Sequence, residues 1–507
     1  MNIVTKIVNY LKAGYPCLSI LTTEEKRAQG DVLSAAKTAK RSVVTWSAAE
    51  GLVNVESGQA IDGSEDLLEA LRQIVHADKE DTVYLFRDAH AWAWDRDPVM
   101  SRFLREVITE APAKGCCVVM IAPEFKPLST IEKLVTQVEY SLPDYNDLKE
   151  IAKNIAASVN KKVKAADDDV LRALSGLSTT EAENALALSI VECGEFSSEV
   201  IYREKVAAVK RSGLLEIVDP DPRGLDAIGG LENLKDWILK RKKAYSKEAE
   251  KYGLPAPKGV LLAGVPGSGK SLSAKAFGTA LGIPTLKLDI GSLFNSLVGE
   301  SEARTRDALK LAEAMAPVVL WCDEVDKGLS GAQGSGSNDS GVTRRVFGTL
   351  LTWMQEKKKP VFVVMTANQV EHLPPEFLRR GRFDELFAID LPHQTEREEI
   401  AAVHLKKFGR DPKNFDLPNI AKATKDYTGA EMEAVFTEAM FQAFDQEHEV
   451  TTADITKAAE SIIPLSKMMA EQIERIRKWG EGRARPASSN EASKAKTNKQ
   501  PRKLNLN

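Results

Sequence analysis

An α/β protein is expected from this sequence: a parallel sheet with helices on both faces, a helical segment after it, and a degraded version of the same plan before it. Three observations lead there. In the second half, short β-branched apolar runs alternate with stretches of helical periodicity, the pattern of strands buried on both faces. A glycine-rich turn, Gly264-Val265-Pro266-Gly267-Ser268-Gly269-Lys270-Ser271, joins one such run to a helical stretch. In the first half, two local patterns occur in the same order as their later counterparts, as duplication of one unit would leave them.

A chain of 507 residues has room for about three packed units at roughly 150 residues each. Hydrophobic residues at 43% and charged residues at 28% exclude a mostly disordered or fibrous chain. Sixty-nine basic against seventy-three acidic residues leave a net charge of −4, so no global basic field draws the chain to nucleic acid or an anionic membrane. Cys17, Cys116, Cys117, Cys193 and Cys322 form no paired metal-ligand spacing, and three lie inside apolar runs. They read as reduced, buried thiols of a reducing cytoplasm. The N-terminal stretch is broken by Lys6, Asn9 and Lys12, unlike a secretory signal. The longest apolar runs, such as Val361–Met365, fall far short of the roughly twenty residues of a membrane helix. A soluble cytoplasmic protein without membrane insertion is expected.

Taken in order, Cys17–Leu21, Val83–Phe86 and Cys116–Ile121 read as buried strands of an α/β domain over residues 1–140. The first is followed by Thr22-Thr23-Glu24-Glu25-Lys26, where a phosphate-binding turn would belong. There is no glycine to let the backbone curl, and two carboxylates would repel phosphate. The second runs into Arg87-Asp88-Ala89-His90, which keeps one acid. This half should hold the fold without the site. Residues 141–218 read as a helical, lid-like region. There, Ser141-Leu142-Pro143-Asp144 with Leu148–Ile151 echoes Asp390-Leu391-Pro392-His393 with Arg397–Ile400, and Ser178–Glu183 echoes Thr428–Glu433. Duplication explains both echoes, and so does independent use of the same helix N-terminal chemistry.

Asp219-Pro220-Asp221-Pro222 punctuates the chain. Within 219–392, Gly259–Gly264, Thr285–Asp289, Val318–Cys322, Val361–Met365 and Leu386–Asp390 read as strands of the parallel sheet. Residues 393–480 form a helical subdomain, with helical pattern from Thr395 to about Trp479. From Glu481 to 507 the chain is rich in Ser, Asn, Lys, Arg and Ala, with seven basic and two acidic residues. It reads as a disordered basic tail, because it cannot bury enough apolar area to offset its ordering entropy.

The glycine-rich turn matches GxxxxGK[ST] between a strand and a helix. Gly264, Pro266, Gly267, Ser268 and Gly269 would wrap a phosphate with backbone N–H groups at a helix N-terminus. Lys270 would reach the β- and γ-phosphates, and Ser271 would offer its hydroxyl to Mg²⁺. The run Val318–Cys322 ends in Asp323-Glu324, placing one carboxylate at the metal and the other at the attacking water as general base. Asn368, just past the strand Val361–Met365, would hold that water or sense the γ-phosphate, or cap the following turn. Leu378-Arg379-Arg380-Gly381-Arg382-Phe383-Asp384 offers guanidiniums of the kind that neutralise a transferring phosphoryl group, or that pair with acids at a domain surface.

These residues, in this order, resemble the AAA+ ATPases, and the Gly381–Asp384 segment resembles the second region of homology of the AAA clade. The resemblance implies a P-loop AAA+ module, a parallel sheet plus helical lid, preceded by a degenerate AAA-like α/β domain. It implies ATP and Mg²⁺ as cofactors, adenine contacts from Ile228, Gly229, His404, Gly429 and Ala430, and Arg379 and Arg382 completing a neighbouring subunit's site. Gly229–Trp237, Tyr252–Gly259, Glu204-Lys205, Ser212–Glu216, and Trp479 with Gly482–Ala487 are similar to the hypothetical chloroplast reading frame forty-six family. One departure stands out. Ser296–Glu302 aligns with the first pore loop of AAA unfoldases but carries Leu297-Val298 where an aromatic residue grips a threaded polypeptide. Gly328–Gly341 falls where a second pore loop would lie, and its glycine and serine content predicts mobility. The sequence has no HExxH, which excludes an AAA metalloprotease.

Three readings follow. The first is a Mg²⁺-dependent ATPase, assembled as a ring-shaped homo-oligomer of six, that remodels or regulates a protein client. The second is a nucleotide-gated scaffold with slow hydrolysis. The third, a nucleic-acid motor using the basic tail, is disfavoured by the acidic remainder of the chain. ATP turnover with and without protein or DNA separates them.

Overall fold

The computed structural model describes residues 2–489 apart from 78, 88–96, 124, 126, 160–162, 246, 294–299, 331–338, 374 and 380. Two compact units divide the chain, residues 1–197 and 198–507.

The first unit carries β1 (Cys17–Leu21), β2 (Ser42–Ser47), β3 (Gly51–Asn54), β4 (Ala60–Ile61), β5 (Thr82–Arg87), β6 (Cys117–Ala122) and β7 (Val135–Glu139). They lie in the order β4-β3-β2-β5-β6-β1-β7. The pairs from β2 to β7 are parallel, while β3 and β4 add an antiparallel edge. Alternation along the strands feeds two cores. Cys117, Val119 and Ile121 face Ile7, Leu11, Ala28 and Val32 of the helices Ile3–Lys12 and Glu25–Thr38. Val118 and Met120 face Leu67, Leu71, Leu104 and Ile108 of the helices Leu67–His76 and Pro98–Glu110.

The second unit carries β8 (Glu216–Val218), β9 (Gly259–Gly264), β10 (Thr285–Leu288), β11 (Val318–Cys322), β12 (Val361–Ala367), β13 (Glu385–Ile389) and β14 (Arg485–Pro486). Their order is β14-β13-β9-β12-β11-β10-β8, parallel except for β8. Val318, Leu320 and Cys322 enter one core while Val319 and Trp321 enter the other. Counted in chain order, the five central parallel strands run 5-1-4-3-2 in both sheets. The two echoes occupy matching places as well. Asp144 and His393 cap the helices Tyr145–Ser158 and Gln394–Lys407 through capping boxes, as Ser178 and Thr428 cap Thr179–Cys193 and Gly429–Asp445. Matching strand order, beyond anything helix-capping chemistry requires, favours duplication.

Helix Ser198–Ser212 packs Val209, with Tyr202 and Val206, against the second unit's core. One expectation changes. The segment from Glu481 is ordered as far as Ser489. Arg485–Pro486 extends the sheet beside β13, Ala487 is fully buried, and Asn233 Nδ2 donates to the carbonyls of Pro486 (3.1 Å) and Ser488 (2.8 Å). Composition missed this because the strand partner lies about a hundred residues away in sequence. The rest of the basic tail lies outside the described residues. All five cysteines are free, four of them buried. No described helix is long and apolar enough to cross a membrane.

Candidate active site

The site forms at the C-terminal ends of β9, β11 and β12. Gly264 closes β9 where a Cβ would lie 2.0 Å from the Ile389 carbonyl, and Gly267 and Gly269 take φ of +75° and +94°. Only glycine adopts such a course at low cost. The helix Lys270–Leu281 begins directly after it. Lys270 Nζ donates to the carbonyls of Gly264 (2.9 Å) and Val265 (2.7 Å) beneath the loop. Burial pushes this ammonium down to about 8, against the pull of the Asp326, Asp323 and Glu324 carboxylates.

That value sets a pH dependence. Phosphate is held by the ammonium form, so binding above pH 8 must take up a proton. ATP affinity should be flat near neutrality and roughly tenfold weaker at about pH 9. Calorimetry in buffers of different ionisation enthalpy would read both the weakening and the proton uptake. A pH-independent affinity would contradict it.

Ser271 Oγ donates to Asp323 Oδ1 at 3.0 Å. A hydroxyl and a carboxylate at a phosphate-binding loop are the hard oxygen donors Mg²⁺ takes, so these residues fit the ion. Glu324 follows with φ of +48°. Its carboxylate accepts from Asn368 Nδ2 at 3.1 Å and pairs with the Lys327 ammonium. Asp326, almost fully buried, accepts from the backbone N–H groups of Asn368 (3.2 Å) and Gln369 (2.9 Å), tying the loop after β11 to the end of β12.

The lid helices close the other side. Ala430 N–H donates to the Gly267 carbonyl at 3.1 Å. A Cβ on Gly229 would lie 2.6 Å from Ile400 N. The N–H groups of Gly230 and Leu231 donate to Glu399 and Glu396, each at 2.9 Å. The open-sided cavity, about 310 Å³, is lined in part by Ile228, Gly229, Lys270, Glu324, Asn368 and His404. His404 Nε2 faces the Gly429 carbonyl at 3.2 Å and so carries the proton, which leaves Nδ1 as an acceptor. Nδ1 is buried without a hydrogen-bond partner among the described residues, and burial pushes the imidazole pKa down. A neutral acceptor in a partly apolar cavity suits an amino-bearing heterocyclic base.

Of the residues expected from sequence, Ile228, Gly229, Pro266, Gly267, Ser268, Gly269, Lys270, Ser271, Glu324, Asn368, His404, Gly429 and Ala430 share this cavity. Gly264 and Asp323 reach it through Lys270 and Ser271. Arg379 and Arg382 do not line it. They precede β13, whose Glu385 aligns with Val260 and Ile389 with Gly264, so they lie at the opposite end of the sheet from the phosphate loop. Five residues of strand put about 17 Å between those ends. Arg379 is exposed, and Arg382 donates to the Glu376 carbonyl. Arg380, Leu297 and Val298 lie outside the described residues, as does most of Gly328–Gly341. Sequence reading missed Thr366, Glu433 and Ile400 of the lining, and Asp326 and Lys327 beside it. Only Asp326 and Lys327, within three residues of the paired acids, carried a positional hint.

In the first unit, the loop after β1 meets the corresponding lid helix differently. Glu24 Oε1 accepts from Thr179 N–H at 2.6 Å, and Oε2 pairs with Arg27 at 2.6 Å. Arg27 also donates to the Ser141 carbonyl (3.0 Å) and Asp147 (3.2 Å). A carboxylate thus bridges this junction, where the second unit has the Ala430–Gly267 hydrogen bond beside its cavity. Asp88, Ala89 and His90 lie outside the described residues. A fragment of residues 1–197 should show no ATP binding by calorimetry. Micromolar, Mg²⁺-dependent binding by that fragment would overturn the reading.

A sheet with this strand order, a phosphate loop, paired acids and a helical lid define an AAA ATPase, an enzyme that binds and hydrolyses ATP. The ATPase family associated with various cellular activities (AAA) matches residues 260–391, and the AAA+ lid domain matches 414–457. The N-terminal and second domains of SpoVK-like AAA ATPases match 3–140 and 146–212. The AAA domain-containing protein ycf46 of Guillardia theta is 37% identical over 499 residues, spanning 96% of this chain and 97% of the relative. Its counterpart in Trieres chinensis is 36% identical, spanning 96% and 99%. The proteasome-activating nucleotidase of Thermococcus kodakarensis is 33% identical over 269 residues, 51% of this chain and 66% of that protein. The chain belongs to the ycf46 family of AAA ATPases.

Proposed function

We propose that this protein is a Mg²⁺-dependent ATPase that assembles as a ring of six copies and remodels or regulates a protein client. The observation that carries the reading is the separation of Arg379 and Arg382 from their own chain's cavity, at the far end of a parallel sheet. Guanidiniums that cannot serve their own site are suited to a neighbour's, and a closed ring gives every site a neighbour. In this reading the Gly264–Gly269 loop and Lys270 hold the phosphates, and His404 with Ile228 and Gly229 receives the base. Ser271 and Asp323 hold the ion, which supplies charge neutralisation on the phosphate oxygens when bound. Asn368 orients the attacking water, and the Glu324 carboxylate takes its proton.

The relative named as a proteasome-activating nucleotidase acts with a protein assembly, which supports a protein client here. Five unpaired thiols, four of them buried, suit a reducing compartment such as the cytoplasm. The test is to mix two inactive proteins, one lacking the arginines and one lacking Lys270. Recovered turnover supports a shared site, and none refutes it.

A further inference from the structure

We propose that Thr366 is a positioning residue that sets both acids of the hydrolytic site through a single hydroxyl. Thr366 is fully buried near the end of β12. Its Oγ1 lies 2.5 Å from Asp323 Oδ1 and 2.8 Å from the backbone nitrogen of Glu324. The Glu324 N–H can only donate, so the hydroxyl oxygen accepts there and its one proton goes to Asp323. Ser271 Oγ donates to the same carboxylate oxygen at 3.0 Å. Two hydroxyls on Oδ1 fix the carboxylate's rotation beside the phosphate loop.

The second bond acts on the backbone. Glu324 sits at φ +48°, a left-handed conformation uncommon for a side chain of this size, and the Thr366 hydroxyl is one of the contacts that hold it there. Asn368, just past the end of β12, holds the Glu324 carboxylate at 3.1 Å. Thr366 holds the Glu324 backbone and Asn368 its carboxylate, so the side chain enters the cavity from a fixed base. Without the hydroxyl, Glu324 N–H would be left without its acceptor and the turn would relax toward ordinary φ.

The inference rests on the proposed roles of Asp323 and Glu324, so Glu324→Gln is measured alongside. Thr366→Val keeps the shape and deletes both bonds. Its kcat should fall by roughly 10- to 100-fold. Equilibrium binding of a fluorescent ATP analogue without Mg²⁺ should stay within about twofold of the parent, since the loop and Lys270 are untouched. The gain in that affinity on adding Mg²⁺ should shrink, because Asp323 is no longer held. Thr366→Ser, which restores the hydroxyl but not the methyl, should recover most of both losses. Melting temperature without nucleotide verifies folding, and Thr366→Ala replaces Thr366→Val if the latter does not fold.

Parent-like turnover and Mg²⁺ response in the hydroxyl-free variant would overturn the proposal. A serine variant as impaired as the valine one would also overturn it, since packing of the methyl would then be the cause. An active Glu324→Gln protein would instead remove the site assignment on which the proposal stands.

Discussion

Glu324→Gln should bind ATP as tightly as the parent protein and hydrolyse it roughly 10²–10⁴-fold more slowly. Lys270→Ala should fail earlier, at binding. The two outcomes separate because the two side chains do different work. Lys270 lies under the loop that would wrap the phosphates, its ammonium already hydrogen-bonded to the Gly264 and Val265 carbonyls. Deleting it removes a compact cation and leaves those two carbonyls facing an incoming anion. Glu324 lies beyond the loop, at the end of β11, with its carboxylate held by Asn368 and Lys327. A glutamine of the same shape can still accept from Asn368 but cannot take a proton from water. Equilibrium binding followed by single-turnover hydrolysis would distinguish the cases. Parent-rate hydrolysis by Glu324→Gln would place the base elsewhere.

Arg379→Ala and Arg382→Ala should each lower turnover far more than their exposure suggests. An arginine supplied by a neighbour is worth roughly 10³–10⁵ in rate, whereas a surface charge with only local partners changes little. The parent's specific activity should therefore rise steeply with protein concentration, and each arginine variant should regain turnover when mixed with Lys270→Ala. One partner then contributes an intact cavity and the other intact guanidiniums. The segment that presents them is firmly placed. Asp384 accepts from the N–H groups of Lys258 (2.7 Å) and Gly259 (3.0 Å), and Lys258 Nζ donates to the Gly381 carbonyl at 2.6 Å. Concentration-independent activity from a persistent monomer, with no recovery on mixing, would refute a shared site.

Strands that are continuous apolar runs were legible in the sequence, and β1, β9 and β11 fall where their residues say they should. What escaped were β2, whose buried Val43, Val44 and Trp46 are interrupted by Ser42, Thr45 and Ser47, and strands whose identity depends on a distant partner. β7 carries Thr136, Gln137 and Glu139 and is largely unburied at the sheet edge, so no local pattern announces it. β14 is two residues long and exists only because β13 offers it a ladder. The site shows the same division. Residues contiguous in a motif were found because phosphate chemistry demands them at fixed spacing. Thr366 was not, since a threonine inside a valine-rich strand is an ordinary β-former, and its role comes from a backbone N–H brought close by folding. The first unit is the sharper lesson. Glu24 reads in sequence as a charge that would repel phosphate, but in the fold it has its own cation and its own helix N-terminus.

That carboxylate has a thermodynamic consequence. A side chain tethered to its binding partners cannot be diluted away: it competes as though present at high effective concentration whatever the nucleotide level of the cell. Its contacts join the β1 loop to the helix Thr179–Cys193, as the Ala430–Gly267 hydrogen bond joins the corresponding loop and helix of the second unit. A body that takes up no nucleotide gives the nucleotide no differential affinity with which to shift it. If residues 1–197 bind no ATP, as expected above, nucleotide gives them no bias of its own, and a partner that displaces Glu24 from Thr179 and Arg27 is what would shift them.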